Sequence, residues 1–138
     1  LAGILNMTES VARGVQVAFV ANYNESRYEG LQIAGLINVN IESLDDETAA
    51  PFRIQIAGFA NANRGRMTGL QLSLFENGCA EISGVQIAAV FNRAHTMRGL
   101  QIGLINHCQK LYGVQIGLIN VVSENGIVPV FPLINAAF

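Results

Sequence analysis

The chain has 138 residues, of which 51% are hydrophobic and 13% are charged, and its formal net charge at pH 7 is −2. This length and composition suit one folded domain or one array of small units, and they exclude a disordered chain. The mildly acidic balance argues against a nucleic-acid partner, because the sequence has no basic stripe to contact phosphates. Two cysteines are too few for a disulfide scaffold. No run of 18 apolar residues is present that could form a membrane-spanning helix, and we expect no signal peptide in this stretch.

One short unit recurs along the chain. Residues 1–6 read LAGILN, the end of the unit without its beginning, so we expect the chain to be a processed product or part of a longer polypeptide. Residues 1–13 form this partial first unit. Each complete unit starts at a head residue, at intervals of 14 to 16 residues except for one interval of 23: Gly14, Gly30, Arg53, Gly69, Gly84, Gly99 and Gly113. Self-similarity of this kind predicts a single repeat array over residues 1–138.

Two polar positions are the same in all seven complete units. A glutamine stands two residues after each head: Gln16, Gln32, Gln55, Gln71, Gln86, Gln101 and Gln115. An asparagine ends each repeated stretch, as Asn6 ends the partial unit: Asn22, Asn38, Asn61, Asn77, Asn92, Asn106 and Asn120. Stacked identical amides can hydrogen-bond along a column, as in cross-β structure. We therefore expect the asparagines to form a structural ladder.

The alternation inside each unit predicts a β-strand, since apolar residues occur at every second position and many are β-branched. One apolar residue two places before the next head predicts a second, shorter strand: Tyr28, Met67, Ile82, Met97 and Leu111. Glycine at the head and asparagine at the end suit corners, because both tolerate positive φ. The fold predicted is all-β, a narrow parallel β-solenoid with coils of about 15 residues stacked about 4.8 Å apart.

Two segments depart from the period. The extra residues of the 23-residue unit lie within residues 39–52 and are expected to loop out from the stack. Residues 125–138 contain Pro129 and Pro132. Because proline removes hydrogen-bond donors from a strand, this segment is expected to be a C-terminal cap that stops further stacking. No such cap is visible at the N-terminal end, which predicts upstream coils or a partner there.

The candidate metal ligands are few. Glu42, Asp45, Asp46 and Glu47 cluster in the inserted loop, and oxygen clusters of this kind can bind Ca²⁺. The spacing is not that of an EF-hand, so a solvated acidic loop is favoured, and we expect no metal and no cofactor.

Two further pairs of residues were considered as ligands or cross-links. Cys79 and Cys108 share a repeat position but lie two coils apart, about 9–10 Å, which is too far for a disulfide, so we expect free cysteines that face inward. His95 and His107 occupy different positions in their units and are not expected to share a metal.

The sequence contains no catalytic constellation. It has no Gly-rich phosphate loop, no His-Glu-x-x-His motif and no strand-turn-helix serine. The carboxylates or basic residues that polysaccharide lyases and hydrolases carry on a β-helix face are also missing from the repeat. An ice-binding face would need ranks of threonine, and Thr8, Thr48, Thr68 and Thr96 form no ladder. We therefore expect a protein that is not an enzyme.

Periodicity leaves open which side of the main strand faces out. If the glutamines face inward, they form a buried amide ladder and the Val, Ile and Leu residues are exposed. If they face outward, the glutamine column is the candidate binding face. In either case the exposed face carries almost no charge, and exposed apolar faces usually mark a protein partner or a membrane.

The unit typified by residues 113–120, GVQIGLIN, resembles the repeats of a family of bacterial surface-repeat proteins from spirochaetes and Bacteroidetes. The resemblance extends from Gly3 to Asn135. It implies a location in the cell envelope or outer membrane, or outside the cell, and it brings no activity and no catalytic residues.

These observations predict a non-catalytic structural or interaction module. Its partner would be a protein, a glycan or an upstream part of the same polypeptide, and membrane association is compatible with the exposed face. The alternative is a small outer-membrane β-barrel in which each repeat supplies one strand and a turn.

Overall fold

A computed structural model of the chain describes residues 3–42, 49–126 and 129–138. These residues form eleven strands and no helix: β1 (Leu5–Thr8), β2 (Ala12–Ala18), β3 (Ala21–Asn24), β4 (Tyr28–Ala34), β5 (Ile37–Asn40), β6 (Phe52–Ala57), β7 (Ala60–Ser73), β8 (Glu76–Ala88), β9 (Phe91–Ile102), β10 (Ile105–Val122) and β11 (Val130–Ala137). In the first coils the glutamine-bearing and asparagine-bearing segments are separate strands. From β7 onward one strand runs from the asparagine of one unit through the next head glycine to the next glutamine.

Successive coils lie parallel and in matching register. Gln86 stands between Gln71 and Gln101, and Gln101 is paired in turn with Gln115. The asparagines from Asn6 to Asn106 follow the same rule in the parallel strand pairs that contain them. The predicted parallel β-solenoid is therefore confirmed. The alternative arrangement, with one antiparallel strand per repeat, is wrong because neighbouring repeats run in the same direction.

The apolar residues before the heads form the interior of the coils. All five predicted positions are at most 1% exposed: Tyr28, Met67, Ile82, Met97 and Leu111. A second inward column stands two residues after the asparagines and changes character along the stack. Its members are polar in the early coils and apolar in the later ones: Asn24, Asn40, Asn63, Cys79, Ala94 and Cys108. The apolar core is consequently concentrated in the C-terminal half of the array.

The head glycines are required by backbone conformation and by close stacking. Gly99, for example, has φ +129°, and a Cβ atom there would lie 2.1 Å from the carbonyl oxygen of Gly84. The asparagines at the corners do not adopt positive φ, because Leu133 is the one non-glycine residue with positive φ in the described part of the chain. The asparagines are selected instead by the hydrogen bonds of their side chains.

The corner between the glutamine-bearing segment and the asparagine-bearing segment that follows it has two lengths. The first five complete units place six residue steps between glutamine and asparagine, and the last two place five. Longer units put a buried small side chain before the corner, such as Ala88. In the shorter units this position is glycine, and a Cβ on Gly103 would lie 2.7 Å from Asn92 Nδ2 and 2.8 Å from the Ala88 carbonyl oxygen. The shortened corner therefore accepts no side chain.

The two segments that depart from the repeat period are described in part. Val39 and Asn40 belong to β5 and Phe52 to β6, so these three residues of the predicted loop 39–52 lie in strands, and residues 43–48 lie outside the described residues. At the other end β11 runs antiparallel to β10 and covers residues 113–121. The register shifts between Gly117 and Asn120, where Pro132 interrupts the pairing of β11. β11 thus ends the parallel stack.

Candidate interaction surface

The asparagine column is a continuous ladder in the interior. Each Nδ2 donates to the Oδ1 of the asparagine in the next coil at 2.7–3.0 Å, from Asn6 through to Asn120. The same Nδ2 also donates, at 2.7–3.0 Å, to a backbone carbonyl of the next coil just before its corner. The ladder therefore satisfies carbonyl groups at the place where the strand bends.

The glutamines form a second ladder, so their side chains face inward. From Gln32 onward, each Nε2 donates to the Oε1 of the glutamine in the preceding coil at 2.7–3.0 Å. Six of the seven are 0% exposed: Gln32, Gln55, Gln71, Gln86, Gln101 and Gln115. Gln16, in the first coil, is half-buried. The glutamine column considered as a binding face is thus enclosed, and a partner approaching these strands would meet the residues on their outer side.

The last glutamine marks the end of the ladder. Gln115 Oε1 is buried and accepts no hydrogen bond, and Asn135 Nδ2 is buried without an acceptor. These residues are register partners in the pairing of β10 with β11. The cap therefore places the Asn135 amide over the glutamine ladder. The asparagine side chain is one methylene shorter than that of a glutamine.

The outer side of the corner carries an apolar ridge with one residue per coil: Val20, Leu36, Phe59, Phe75, Val90, Leu104 and Leu118. Backbone hydrogen bonds between successive coils align its members, such as the one from Phe59 N to Leu36 O at 2.9 Å. The rings of Phe59 and Phe75 stack with their centroids 4.9 Å apart. Leu36, Phe59, Phe75, Leu104 and Leu118 are between 48% and 60% exposed.

The outer side of the glutamine strands extends this apolar surface. The residue after each glutamine points outward and is half-buried or exposed: Val17, Ile33, Ile56, Leu72, Ile87, Ile102 and Ile116. Near the cap, a groove of about 590 Å³ lies between this row and the ridge, with Ile102, Leu104, Leu118 and Leu133 in its walls. The ridge and the row together form one charge-poor face.

Most ion pairs lie in the segments before the heads. Glu29 contacts Arg13 at 2.8 Å, and Lys110 contacts Glu124 at 3.3 Å. A hydrogen bond from Arg27 holds the pKa of the Glu29 carboxyl below its ordinary value. These charges are separated from the apolar ridge, whereas the pair of Arg93 and Glu76, at 3.6 Å, is next to it, because Glu76 directly follows the ridge residue Phe75.

Arg53 is a buried exception to this separation. Its side chain is 0% exposed, and its guanidinium donates to the Tyr28 carbonyl oxygen at 2.8 Å and to Asn63 Oδ1 at 3.0 Å. It also forms an ion pair with Glu42, whose side chain is 11% exposed. This pair fastens the beginning of the inserted segment to the interior of the stack.

Of the acidic residues considered as metal ligands, Glu42 is the partner of Arg53, whereas Asp45, Asp46 and Glu47 lie outside the described residues. Within residues 3–42, 49–126 and 129–138, no three His, Cys, Asp or Glu side chains are grouped as a metal site.

The histidines and cysteines are not brought together into a site. His95 is exposed, while His107 Nε2 lies 3.3 Å from Ser123 Oγ. The prediction of free, inward-facing cysteines is confirmed: Cys79 and Cys108 are buried and unpaired, with Ala94 between them in the column. Burial raises the pKa of each thiol to about 12, so neither is a nucleophile at neutral pH.

The second asparagine column was not anticipated. Asn24 and Asn40 are hydrogen-bonded to each other at 3.0 Å, and Asn40 Nδ2 donates to Gln32 Oε1 at 2.9 Å. The signal for this column is an Asn-x-Asn pattern that occurs in three units, at residues 22–24, 38–40 and 61–63. It is hydrogen-bonded to the glutamine ladder in the early coils, where the apolar core is thin.

Among the residues that the structure describes, no helix is long and apolar enough to cross a bilayer. Comparisons with protein-family models, with curated proteins and with solved structures found no match to this chain.

Proposed function

We propose that the protein is a non-catalytic scaffold that presents its apolar ridge, and the outward row beside it, to a protein partner. The observation that supports this most directly is the ridge itself, an apolar side chain in every complete coil, with five of the seven about half exposed. Contiguous apolar surface of this kind commonly marks an interaction site. The depletion of charge on this face also matches the centre of protein interfaces.

The chemistry of the ridge favours a protein over a glycan. Its side chains are Val, Leu and Phe, which offer no hydrogen bonds to sugar hydroxyls, and the amide groups of the repeat are used up in the buried ladders. Contact with an apolar partner surface, by contrast, would be favourable, because it removes both apolar faces from water. The groove beside Leu104 and Leu118 would receive the side chains of such a partner.

The same proposal places the scaffold in the cell envelope or at the outside of a bacterial cell. This location rests on the resemblance of the GVQIGLIN unit to bacterial surface-repeat proteins. Because the solenoid repeats one surface at intervals of one coil, it suits a spacer or platform on which a partner is held.

Photo-crosslinking in the producing cells tests this proposal. A benzoylphenylalanine at Phe59 would report on the ridge, and the same group at the exposed His95 is the matched control. We expect a discrete protein adduct from Phe59 that disappears when Leu36 and Phe75 are replaced by lysine. Equal adducts from both positions would contradict the proposal. A polydisperse adduct sensitive to glycosidases would identify the partner as a glycan instead.

A further inference from the structure

Two asparagines of the chain are followed directly by glycine, Asn77 and Asn125. An Asn-Gly sequence can lose ammonia without an enzyme, because glycine has no side chain to hinder attack of its backbone nitrogen on the preceding side-chain amide. The two sites have opposite surroundings: Asn77 is 0% exposed within the asparagine ladder, whereas Asn125 is exposed in the turn between β10 and β11. We propose that Asn125 is a site of spontaneous deamidation and that its aspartate and isoaspartate products loosen this turn.

The Asn125 side chain takes the place of a peptide group in the stack. Its Oδ1 accepts a hydrogen bond from Leu111 N at 2.8 Å, and its Nδ2 donates to the Leu111 carbonyl oxygen at 2.7 Å. Just before it, Glu124 N donates to the Gln109 carbonyl oxygen at 2.8 Å. The turn therefore begins as a further segment stacked on β10, and the Asn125 amide forms the last contact of that segment.

The same contacts favour the reaction at Asn125. The first step is attack of Gly126 N on Asn125 Cγ, which places negative charge on Oδ1. The Leu111 N–H already donates to this oxygen, and a fixed backbone donor of this kind stabilises a developing oxyanion. Gly126 N makes no hydrogen bond to another described residue, so the nucleophile is not held in a strand.

The reaction needs water as its only co-reactant. The bond between Gly126 N and Asn125 Cγ forms as the nitrogen gives up its proton to solvent. The bond between Cγ and Nδ2 breaks, Nδ2 takes up a proton and leaves as ammonia, and a cyclic imide remains. Water then opens the ring at one of its two carbonyls. Opening at Cγ gives an aspartate, and opening at the main-chain carbonyl gives an isoaspartate, whose backbone is longer by one methylene.

Asn77 lacks these conditions. Its Nδ2 donates to the Ile87 carbonyl oxygen at 2.7 Å and to Asn92 Oδ1 at 3.0 Å. The following residue, Gly78, lies in β8 and is paired with β7 on one side and with β9 on the other. Its backbone nitrogen is thus fixed in an extended strand, and the amide that it would attack is buried. The chain therefore contains an unreactive reference site of the same local sequence.

Deamidation would remove a contact that fixes the turn. The aspartate product carries a carboxylate oxygen in place of Nδ2, so a negatively charged acceptor would face the Leu111 carbonyl oxygen. Leu111 is 0% exposed, and its carbonyl would lose this donor. The strand after the turn has little stability to spare, since β11 already holds Asn135 Nδ2 unpaired and Leu133 at φ +69°. A loosened turn should therefore reduce the protection of β11 against hydrogen exchange.

Peptide mapping of the folded chain after incubation at mildly alkaline pH tests whether Asn125 reacts. Mass spectrometry, together with labelling by a protein isoaspartyl methyltransferase, measures the conversion at both asparagines. We expect conversion at Asn125 to be at least about tenfold faster than at Asn77, because Asn77 reacts only after local unfolding. In the urea-unfolded chain the two rates should be similar. Equal rates in the folded chain, or faster conversion at Asn77, would overturn the proposal.

The variant Asn125→Asp reproduces the aspartate product and tests its effect on the turn. We expect the amides of Leu111 and of β11 to exchange with deuterium on the order of tenfold faster in this variant, because the contact that fixes the turn is lost. Ser123→Asp is the matched control, since it adds the same charge at an exposed residue of the turn and keeps the Asn125 amide. Unchanged exchange in Asn125→Asp, or equal acceleration in Ser123→Asp, would refute the role of the amide contact.

Discussion

Replacing Arg53 with methionine tests whether the buried ion pair holds the inserted segment to the stack. Methionine keeps much of the volume of the arginine stem but removes the guanidinium. Glu42 would then lose its cationic partner while remaining 89% covered, since its side chain is 11% exposed. Asn63 Oδ1 and the Tyr28 carbonyl oxygen would each lose a donor. We therefore expect a large loss of stability from one substitution.

The magnitude follows from the burial of both partners. Removing one member of a buried pair costs about 3–5 kcal/mol, because an unpaired charge is left in a poorly solvated site. The partial exposure of Glu42 favours the lower end, about 3 kcal/mol, which corresponds to a Tm about 10 °C lower in a domain of this size. Adding Glu42→Gln to Arg53→Met removes the unpaired charge and should recover about 2 kcal/mol.

Urea denaturation followed by circular dichroism measures these free energies of unfolding. Arg13→Met is the matched control, because Arg13 also contacts a glutamate but is 77% exposed. Its loss should be at most about 1 kcal/mol. The reasoning fails if Arg53→Met costs no more than Arg13→Met, or if Glu42→Gln recovers nothing in the double variant.

Three other predictions concern the interior. Gly99→Ala should cost at least about 3 kcal/mol in thermal or urea unfolding, since φ is +129° and the Cβ would meet a backbone oxygen at 2.1 Å. Gly78→Ala should be neutral or stabilise by up to about 1 kcal/mol, because its nearest contact is 3.9 Å; equal losses at the two sites would refute the steric argument. Gln86→Leu should cost about 2–4 kcal/mol by urea unfolding, since it leaves a buried donor and a buried acceptor unpaired; an unchanged midpoint would contradict this. Burial raises the pKa of Cys79 and Cys108 to about 12. The contribution of the thiols to stability should therefore be complete below about pH 8.5, which is the pKa of an unfolded cysteine. It should be lost as the pH rises toward 12. Native iodoacetamide labelling at pH 9 should therefore require unfolding, and rapid labelling of the folded chain would refute the burial.

The ladders could be predicted from the sequence because a parallel stack brings identical positions together. Seven units with glutamine and asparagine at fixed places leave little freedom in the register. The direction of the side chains could not be predicted, since a period of two is symmetric between the faces of a strand. It is decided in the folded chain by the interior: Gln86 and Asn92 find amide partners in both neighbouring coils, which an outward side chain would exchange for water.

The ion pair of Arg53 and Glu42 could not be predicted from the sequence repeat. In the sequence Arg53 is a departure from the head glycine, and Glu42 is one of several acidic residues in the insertion. The two residues come together only in the folded coil, so their contact depends on tertiary structure. The outward row of Val, Ile and Leu was open to prediction only as one of two faces, and its exposure follows from the inward glutamines.

The opposite donor directions of the two ladders also govern how the array behaves as it becomes longer. Side-chain amides in a single column would align their dipoles head to tail, as peptide groups do in a helix, and partial charge would build up at the ends. Here the asparagine dipoles point one way along the axis and the glutamine dipoles point the other way. Each added coil contributes one of each, so the axial fields largely cancel. A solenoid of this type can therefore lengthen without an electrostatic penalty at its termini.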